Sequence, residues 1–225
     1  MTLLEGRNMK KFCVIGVGNF GYHVARALYE DGQEVLAIDL NQERVQVIRD
    51  HCSVAIQGDA ANKEFLAAHG IEEMEAVMVS TGERSHLSTL ITLFLKELGV
   101  KRILSKAVDE DHGRILEKVG ASEIIHPEKD MAIKTARALS YPNILDFIPL
   151  AEDYSITELA APRNFIGKDL ITLDLRRKYQ VTIIALKDVL SDQLVTAPSP
   201  DYVIKDSDIL IMLGRSEDVD KALES

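Results

Sequence analysis

Three glycines near the start of the chain have the spacing of a phosphate-binding turn. Gly16, Gly18 and Gly21 form the pattern G-x-G-x-x-G directly after the apolar run Phe12–Ile15, which reads as a strand. In such a turn the first glycine allows the tight bend, the second lets the backbone approach a pyrophosphate, and the third lets the following helix pack on the strand. The N-terminus of that helix then faces the phosphate charge.

An acidic residue follows this turn at the distance that a ribose site requires. Glu34–Asp39 reads as a second strand and ends in Asp39, 18 residues after Gly21. A carboxylate about 20 residues beyond the glycine motif binds the ribose hydroxyls of a dinucleotide. The combination predicts a nucleotide-binding turn, and it makes the alternative, a glycine turn in an unrelated α/β protein, the less favoured interpretation.

Other polar residues follow the later strands. Asp59 follows the third predicted strand, Thr81 and Gly82 the fourth, Lys106 the fifth and His126 the sixth. Ligands of open α/β sheets bind outside the carboxyl ends of the strands, so we expect these residues at one crevice. Asp59 either reaches the adenine or ribose or caps the next helix. Lys106 either neutralises phosphate or is a solvated lysine.

The elements that must position these residues alternate between strand and helix. This order predicts a Rossmann-like doubly wound parallel sheet, followed by a small α+β C-terminal domain. A long predicted helix over 85–98 carries apolar residues on more than one face, which indicates deep burial or a second partner. The strands predicted for the sheet are Phe12–Ile15, Glu34–Asp39, Val54–Ile56, Ala76–Val79, Arg102–Leu104 and Ile124–Ile125.

The pattern changes near Tyr141, where a helix predicted over 128–139 ends. We predict a flexible tail over 1–9, with Met9 as a second candidate start, a nucleotide-binding domain over 10–140, a connector over 141–152 and a C-terminal domain over 153–225. The elements predicted for the last domain are strands at Ile156–Leu159, Val181–Leu186 and Ile209–Leu213, and helices at Leu173–Tyr179 and Glu217–Leu223.

Composition excludes several classes of protein. The 225 residues are 46% hydrophobic and carry a formal net charge of −10, which disfavours binding to nucleic acid. No apolar run reaches the 18 residues of a membrane span. The two cysteines, Cys13 and Cys52, make no disulfide framework and no metal-binding pattern. These features favour the cytosol.

The chain is equipped to bind a nucleotide but poorly equipped to react it. A dehydrogenase brings a substrate-binding arginine and a general acid or base against the nicotinamide. The second predicted domain contains no histidine, and the chain has no G-x-S-x-G, H-E-x-x-H or Walker A motif. We therefore predict that it is not an enzyme. An NAD(P)-dependent oxidoreductase and a soluble nucleotide or redox sensor remain the alternatives.

The chain resembles the regulatory subunits of bacterial potassium uptake of the Ktr/Trk type, which consist of RCK domains (TrkA-N plus TrkA-C). The resemblance covers nearly all of the chain after Met9. The segments that carry it are Phe12–Gly21, Ser88–Leu93, Leu95–Leu98, Ile125–Met131, Tyr154–Ile156, Leu173–Arg176, Lys178–Tyr179 and Asp208–Ile211.

The resemblance implies a cytoplasmic subunit, peripheral at the inner face of the cell membrane, that controls K⁺ flux by ligand-dependent conformational change. It implies homodimers that pair through the helices after the fifth and sixth strands. These pairs would assemble into a ring, an octamer, beneath an integral membrane K⁺ transporter subunit.

The resemblance also implies ligands and their contacts. ATP, ADP or NAD(H) would bind in the crevice. Glu128 would help to hold a divalent cation, Mg or Ca, between the nucleotides of a pair, and Arg176 would belong to a cyclic di-AMP site. No catalytic residue is implied. The implied nucleotide contacts are Gly16, Gly18, Asn19, Phe20, Gly21, Asp39, Leu40, Asn41, Asp59, Ala60, Thr81, Gly82, Glu83, Lys106, Ala107, Val108, His112 and Glu128.

Overall fold

The computed structural model describes residues 9–82, 84–141, 143–151 and 153–224. The predicted contact Glu83, and the predicted tail apart from Met9, lie outside the described residues. Packing divides the chain into two units after Glu128. The domain boundaries predicted from the sequence stay a prediction.

The first unit contains a six-stranded parallel sheet in the order β3-β2-β1-β4-β5-β6. Its strands are β1 (Lys11–Ile15), β2 (Glu34–Asp39), β3 (Val54–Gln57), β4 (Ala76–Val79), β5 (Ile103–Lys106) and β6 (Glu123–Ile125). Its helices are α1 (Asn19–Glu30), α2 (Gln42–Ile48), α3 (Lys63–Ala68), α4 (Ser85–Glu97) and α5 (Glu110–Val119), and α6 (Pro127–Ser140) continues into the second unit. The predicted doubly wound sheet is confirmed.

The strand order reverses between β1 and β4, which opens a crevice at the carboxyl ends of these strands. Apolar residues bury both faces of the central strands, as a parallel sheet covered on both sides requires. Side-chain caps fix where three of the helices begin. Asn41 caps α2, Asn62 caps α3 and Asp109 caps α5, each through a backbone N–H in the first turn.

Helix α4 is apolar on two sides. Ile91 and Leu95 are buried in the core, whereas Leu90 and Leu93 are more than a third exposed. The helix therefore covers the sheet with one face and leaves a second apolar face uncovered, as its all-round apolar pattern predicts. Among the described residues, no helix combines the length and the apolar content that crossing a membrane requires.

The second unit contains a five-stranded antiparallel sheet in the order β10-β9-β11-β8-β7. Its strands are β7 (Ile144–Pro149), β8 (Tyr154–Ala160), β9 (Thr182–Asp188), β10 (Gln193–Thr196) and β11 (Asp208–Arg215), and its helices are α7 (Leu170–Leu173), α8 (Leu175–Tyr179) and α9 (Ser216–Glu224). A separate core, which includes Leu159, Phe165, Leu210 and Met212, holds these elements together. The predicted α+β class is confirmed.

Three features of this unit differ from the sequence prediction, and one of them is β10, which no predicted strand covers. The structure forms β7 within the predicted connector, at the edge of the sheet, where a proline such as Pro149 is tolerated. The helix predicted over Leu173–Tyr179 is divided into α7 and α8, because Asp174 has a left-handed backbone with φ of +47°.

Candidate functional site

The glycine turn is pinned against two neighbouring strands. Gly16 has a φ of +88°, and a Cβ at this position would lie 2.2 Å from the carbonyl oxygen of Ser80. Its N–H donates to the carbonyl oxygen of Ile38 at 2.7 Å. A Cβ on Gly21 would lie 2.0 Å from the carbonyl oxygen of Gly16, so both positions require glycine.

The N-terminus of α1 lies directly after this turn. Gly18 occupies the N-cap position, none of the described side chains caps the helix, and the first turn contains no acidic residue. The N–H groups of this first turn have no partner within the helix, so they are suited to bind an anion. Arg44 brings a positive charge to the same place, because its Nη1 lies 3.7 Å from where a Cβ on Gly18 would be.

Asp39 is 6% exposed and holds the turn in position. Its Oδ2 accepts a hydrogen bond from Val17 N, and its Oδ1 accepts one from Asn41 N, both at 2.8 Å. Arg44 Nη1 lies 3.8 Å from Oδ2. A carboxylate has about four acceptor sites, so roughly two remain for hydroxyl groups of a ligand.

A cleft with about 450 Å³ of empty volume, counting the open solvent at its mouth, lies at the carboxyl ends of these strands. It brings together six of the predicted contacts: Gly16, Asp39, Leu40, Asp59, Ala60 and Thr81. Sequence reasoning missed two residues of this cleft, Arg44 and Arg84, whose guanidinium groups suit phosphate. A signal for Arg44 was its position three residues after Asn41, an implied nucleotide contact whose side chain caps α2.

Asp59 and Thr81 differ in how their polar atoms are satisfied. Asp59 accepts a hydrogen bond from Ala61 N at 2.9 Å, and it is Asn62 that caps the following helix. The Thr81 hydroxyl is buried and has no hydrogen-bond partner among the residues that the structure describes. A buried hydroxyl without a partner is costly, so a ligand that supplies one would be favoured at this position.

Lys106, at the end of β5, forms an ion pair with Glu128, in the first turn of α6. The Lys106 side chain is only 13% exposed, so this residue is not a free solvated lysine, and its Nζ donates to Glu128 Oε1. The hydrogen bond from Lys106 holds the pKa of Glu128 below its usual value. The ammonium lies 6.0 Å from the ring centroid of Phe20, the second residue of α1.

His112 faces α4 rather than the cleft. Its Nδ1 accepts a hydrogen bond from Val108 N at 3.2 Å, so the neutral ring carries its hydrogen on Nε2, 3.1 Å from Ser88 Oγ. Burial is the main cause that lowers the pKa of His112. His112 and Val108 line an apolar groove between α4 and α5, which Leu90, Leu93 and Ile115 also line.

The remaining predicted contacts lie around these features. Asn19 and Phe20 begin α1, Gly82 follows β4 with a φ of +71°, and Ala107 is buried after β5. Arg176 is exposed on α8 in the second unit. The described residues contain no cluster of three His, Cys, Asp or Glu side chains that could hold a metal ion, and Glu128 is paired with Lys106. The predicted cation at Glu128 stays a prediction.

The parallel-sheet unit and the antiparallel-sheet unit each correspond to a domain family. The TrkA-N domain matches residues 12–127 and the TrkA-C domain matches residues 156–225. The chain is 40% identical over 210 residues to Ktr system potassium uptake protein A of Bacillus subtilis, covering 93% of this chain and 94% of that protein. It is 38% identical over 212 residues to Ktr system potassium uptake protein C of the same organism, with coverage of 94% and 95%. The chain belongs to the Ktr family of potassium uptake proteins.

Solved structures support the same fold. The GsuK RCK domain matches with a TM-score of 0.56 and 22% identity, over 96% of this chain and 46% of that one. The GsuK channel bound to NAD matches with a TM-score of 0.56 and 22% identity, over 96% of this chain and 38% of that one. This chain therefore spans about half or less of those longer chains.

Proposed function

We propose that this protein is a cytoplasmic, nucleotide-binding regulatory subunit of a K⁺ uptake transporter, and that ligand binding controls K⁺ flux by changing its conformation. Family membership supports the role in potassium uptake. One observation carries the nucleotide-binding part: the open N-terminus of α1 lies beside the buried Asp39 carboxylate, at the edge where the strand order reverses.

The residues of the cleft fit an adenine nucleotide. Gly16 has no space for a side chain, which keeps the turn close to β4, and the Thr81 hydroxyl has no partner within the described residues. A bound nucleotide supplies ribose hydroxyls, an aromatic base and phosphate charge. Asp39 is placed to accept from the hydroxyls, and Arg44 is placed near the phosphate turn.

The ligand class we propose is ATP, ADP or NAD(H). Structures of GsuK bound to NAD and bound to ADP support both kinds of ligand for this fold. A divalent cation at Glu128 would need further ligands from outside this chain. That cation and cyclic di-AMP at Arg176 stay predictions.

The mechanism is a shift between conformations rather than a reaction. The carboxylates that line the described cleft are Asp39 and Asp59, and each already accepts hydrogen bonds from backbone N–H groups. These contacts support a role of both carboxylates in holding a ligand. A nucleotide can change the conformational equilibrium only by its difference in affinity for the two states.

Self-association would use apolar surfaces that one chain leaves uncovered. The groove between α4 and α5 exposes Leu90, Leu93 and Ile115. Helix α6 has no buried residue in its described part and exposes Met131 and Leu139. These surfaces support the proposal that the protein forms homodimers through α5 and α6, and that the dimers assemble into an octameric ring beneath an integral membrane partner.

A binding panel and a flux assay test this proposal. Titration calorimetry with ATP, ADP, NAD and NADH should find at least one ligand that binds with micromolar or tighter affinity. That ligand should alter K⁺ flux into vesicles that contain the membrane partner and this protein. The absence of binding by all four ligands would overturn the proposal. Hydride transfer from NADH to a substrate pool would favour the oxidoreductase alternative.

A further inference from the structure

The Lys106 ammonium, a group that a bound phosphate could contact, is already paired with the Glu128 carboxylate. Lys106 ends β5 and is mostly buried, so its ammonium has a fixed place near the start of α1. Glu128 lies in the first turn of α6, has a side chain that is 71% exposed, and is the carboxylate that this ammonium contacts. The charge of this lysine is therefore already balanced by a carboxylate of the same chain.

A phosphate at the N-terminus of α1 must compete for this lysine. The helix N-terminus and Arg44 both attract anions, and Lys106 would add a third positive group if Glu128 released it. The Glu128 carboxylate also carries the same sign of charge as a phosphate, and like charges repel.

We propose that Glu128 is an internal competitor for the phosphate groups of the ligand. The inference rests on the proposed function, and it deepens that function by naming how the site responds to its ligand. A ligand with enough phosphate charge takes Lys106 from Glu128, whereas a nucleoside without phosphate leaves the ion pair intact. Glu128 thus lowers the affinity for ligands that carry phosphate and leaves the affinity for an uncharged nucleoside unchanged.

Loss of the Lys106–Glu128 contact would also affect the structure outside the cleft, in helix α6. Glu128 belongs to the first turn of α6, the helix through which the chain passes into the second unit. Loss of the Lys106 contact removes the ion pair that ties this turn to the end of β5. Phosphate binding therefore loosens the first turn of α6. The change is transmitted along α6, the helix through which the chain passes into the second unit.

A double-mutant cycle tests the exchange. Titration calorimetry in metal-free buffer with a chelator compares ATP and adenosine on the full chain, on Glu128→Gln, on Lys106→Gln and on the double variant. We expect Glu128→Gln to tighten ATP about fivefold, equivalent to about 1 kcal/mol, and to leave adenosine unchanged. The matched control is Glu123→Gln, which breaks the exposed Arg102–Glu123 pair at the opposite end of β6 and should change neither affinity.

The double variant distinguishes competition for Lys106 from direct repulsion between Glu128 and the phosphate. If Glu128 acts by holding Lys106, its replacement has a much smaller effect on ATP affinity in the Lys106→Gln background. An equal fivefold gain in both backgrounds would overturn the proposal, and so would unchanged ATP affinity in Glu128→Gln. If neither ATP nor adenosine binds any of the four proteins, the proposed function itself fails.

A second measurement serves if Lys106→Gln does not fold. Hydrogen exchange of the amides from Met131 to Lys134, which close the first turn of α6, should speed up when ATP is added and stay unchanged with adenosine. Exchange rates in this turn that are the same with and without saturating ATP would contradict the release of α6.

Discussion

Asp39 combines a structural task with a binding task. Its two oxygens accept from Val17 and Asn41, so the carboxylate joins the glycine turn to the end of β2. Its place in the cleft leaves further acceptor sites toward a ligand. Any substitution therefore changes the free energy of unfolding and the affinity together, and the two must be measured separately.

We expect Asp39→Asn to weaken binding of nucleotides that carry ribose. The neutral amide keeps one acceptor oxygen but loses the charge-assisted bonds to the hydroxyls, a loss on the order of 1.5–3 kcal/mol. Calorimetric titration measures it, and thermal unfolding records the loss of stability. Asp50→Asn, on an exposed turn after α2, is the matched control. Unchanged affinity in a folded Asp39→Asn protein would remove Asp39 from the ribose site.

His112 should make stability depend on pH. Burial lowers its pKa below the ordinary 6.5, so the folded protein resists protonation that the unfolded chain accepts. The free energy of unfolding is therefore fully retained above pH 6.5 and falls as the pH drops below that value. Urea unfolding at pH 7.5 and pH 5.5 should show a larger decrease for the natural protein than for His112→Asn. Equal decreases would contradict this assignment.

The sequence predicted those residues whose roles follow from a pattern of residues close together in the chain. The glycine turn and Asp39 belong to one strand-turn-helix pattern, so their spacing alone indicated the site. Arg44 and Arg84 were missed, because it is the packing of α2 and the start of α4 that brings them to the cleft. His112 was expected at the nucleotide; its Nε2 lies 3.1 Å from Ser88 Oγ, and a contact with the nucleotide stays a prediction.

At the scale of elements, the parallel strands were predicted more completely than the antiparallel ones. Continuous apolar runs such as Val35 to Ile38 identify buried central strands. β10 is exposed along its length and β7 is partly exposed, so neither shows a comparable run. The pattern of apolar residues does not reveal the left-handed backbone of Asp174, and for that reason α7 and α8 were predicted as one helix.

Helix α4 provides a matched pair of substitutions. Leu95 is fully buried in the core, so Leu95→Glu leaves an unpaired charge inside and should unfold or aggregate the protein. Leu90 is 37% exposed at the groove, so we expect Leu90→Glu to fold, which differs from the deep burial that the sequence pattern allowed. Its expected effect is on self-association.

Light scattering and circular dichroism distinguish the two results. Leu90→Glu should retain the helical signal of the natural protein and have a lower assembled mass, because a charge in an apolar interface is costly. A Leu90→Glu protein with the natural mass would show that the α4–α5 groove is not an interface. A folded Leu95→Glu protein would contradict the burial of α4 in the sheet.

At the scale of the whole molecule, the chain has two separately built cores. The first unit packs α/β layers around residues such as Val77 and Ile91, and the second packs an antiparallel sheet around residues such as Phe165. The cleft is lined by residues of the first unit alone. A ligand in that cleft therefore acts first on the stability of one unit.

We expect saturating nucleotide to slow hydrogen exchange most in the first unit. A ligand at one hundred times its Kd stabilises the state that binds it by about 2.7 kcal/mol, which slows exchange through global opening of that unit about a hundredfold. Amides of β1, β2 and β4 should show this protection, while those of β8 and β11 change less. Asp39→Asn at the same nucleotide concentration is the control, since it should lose most of the effect. Equal protection of β11 and β1 would show that the two units open together, so that ligand binding is communicated through their joint stability rather than through α6.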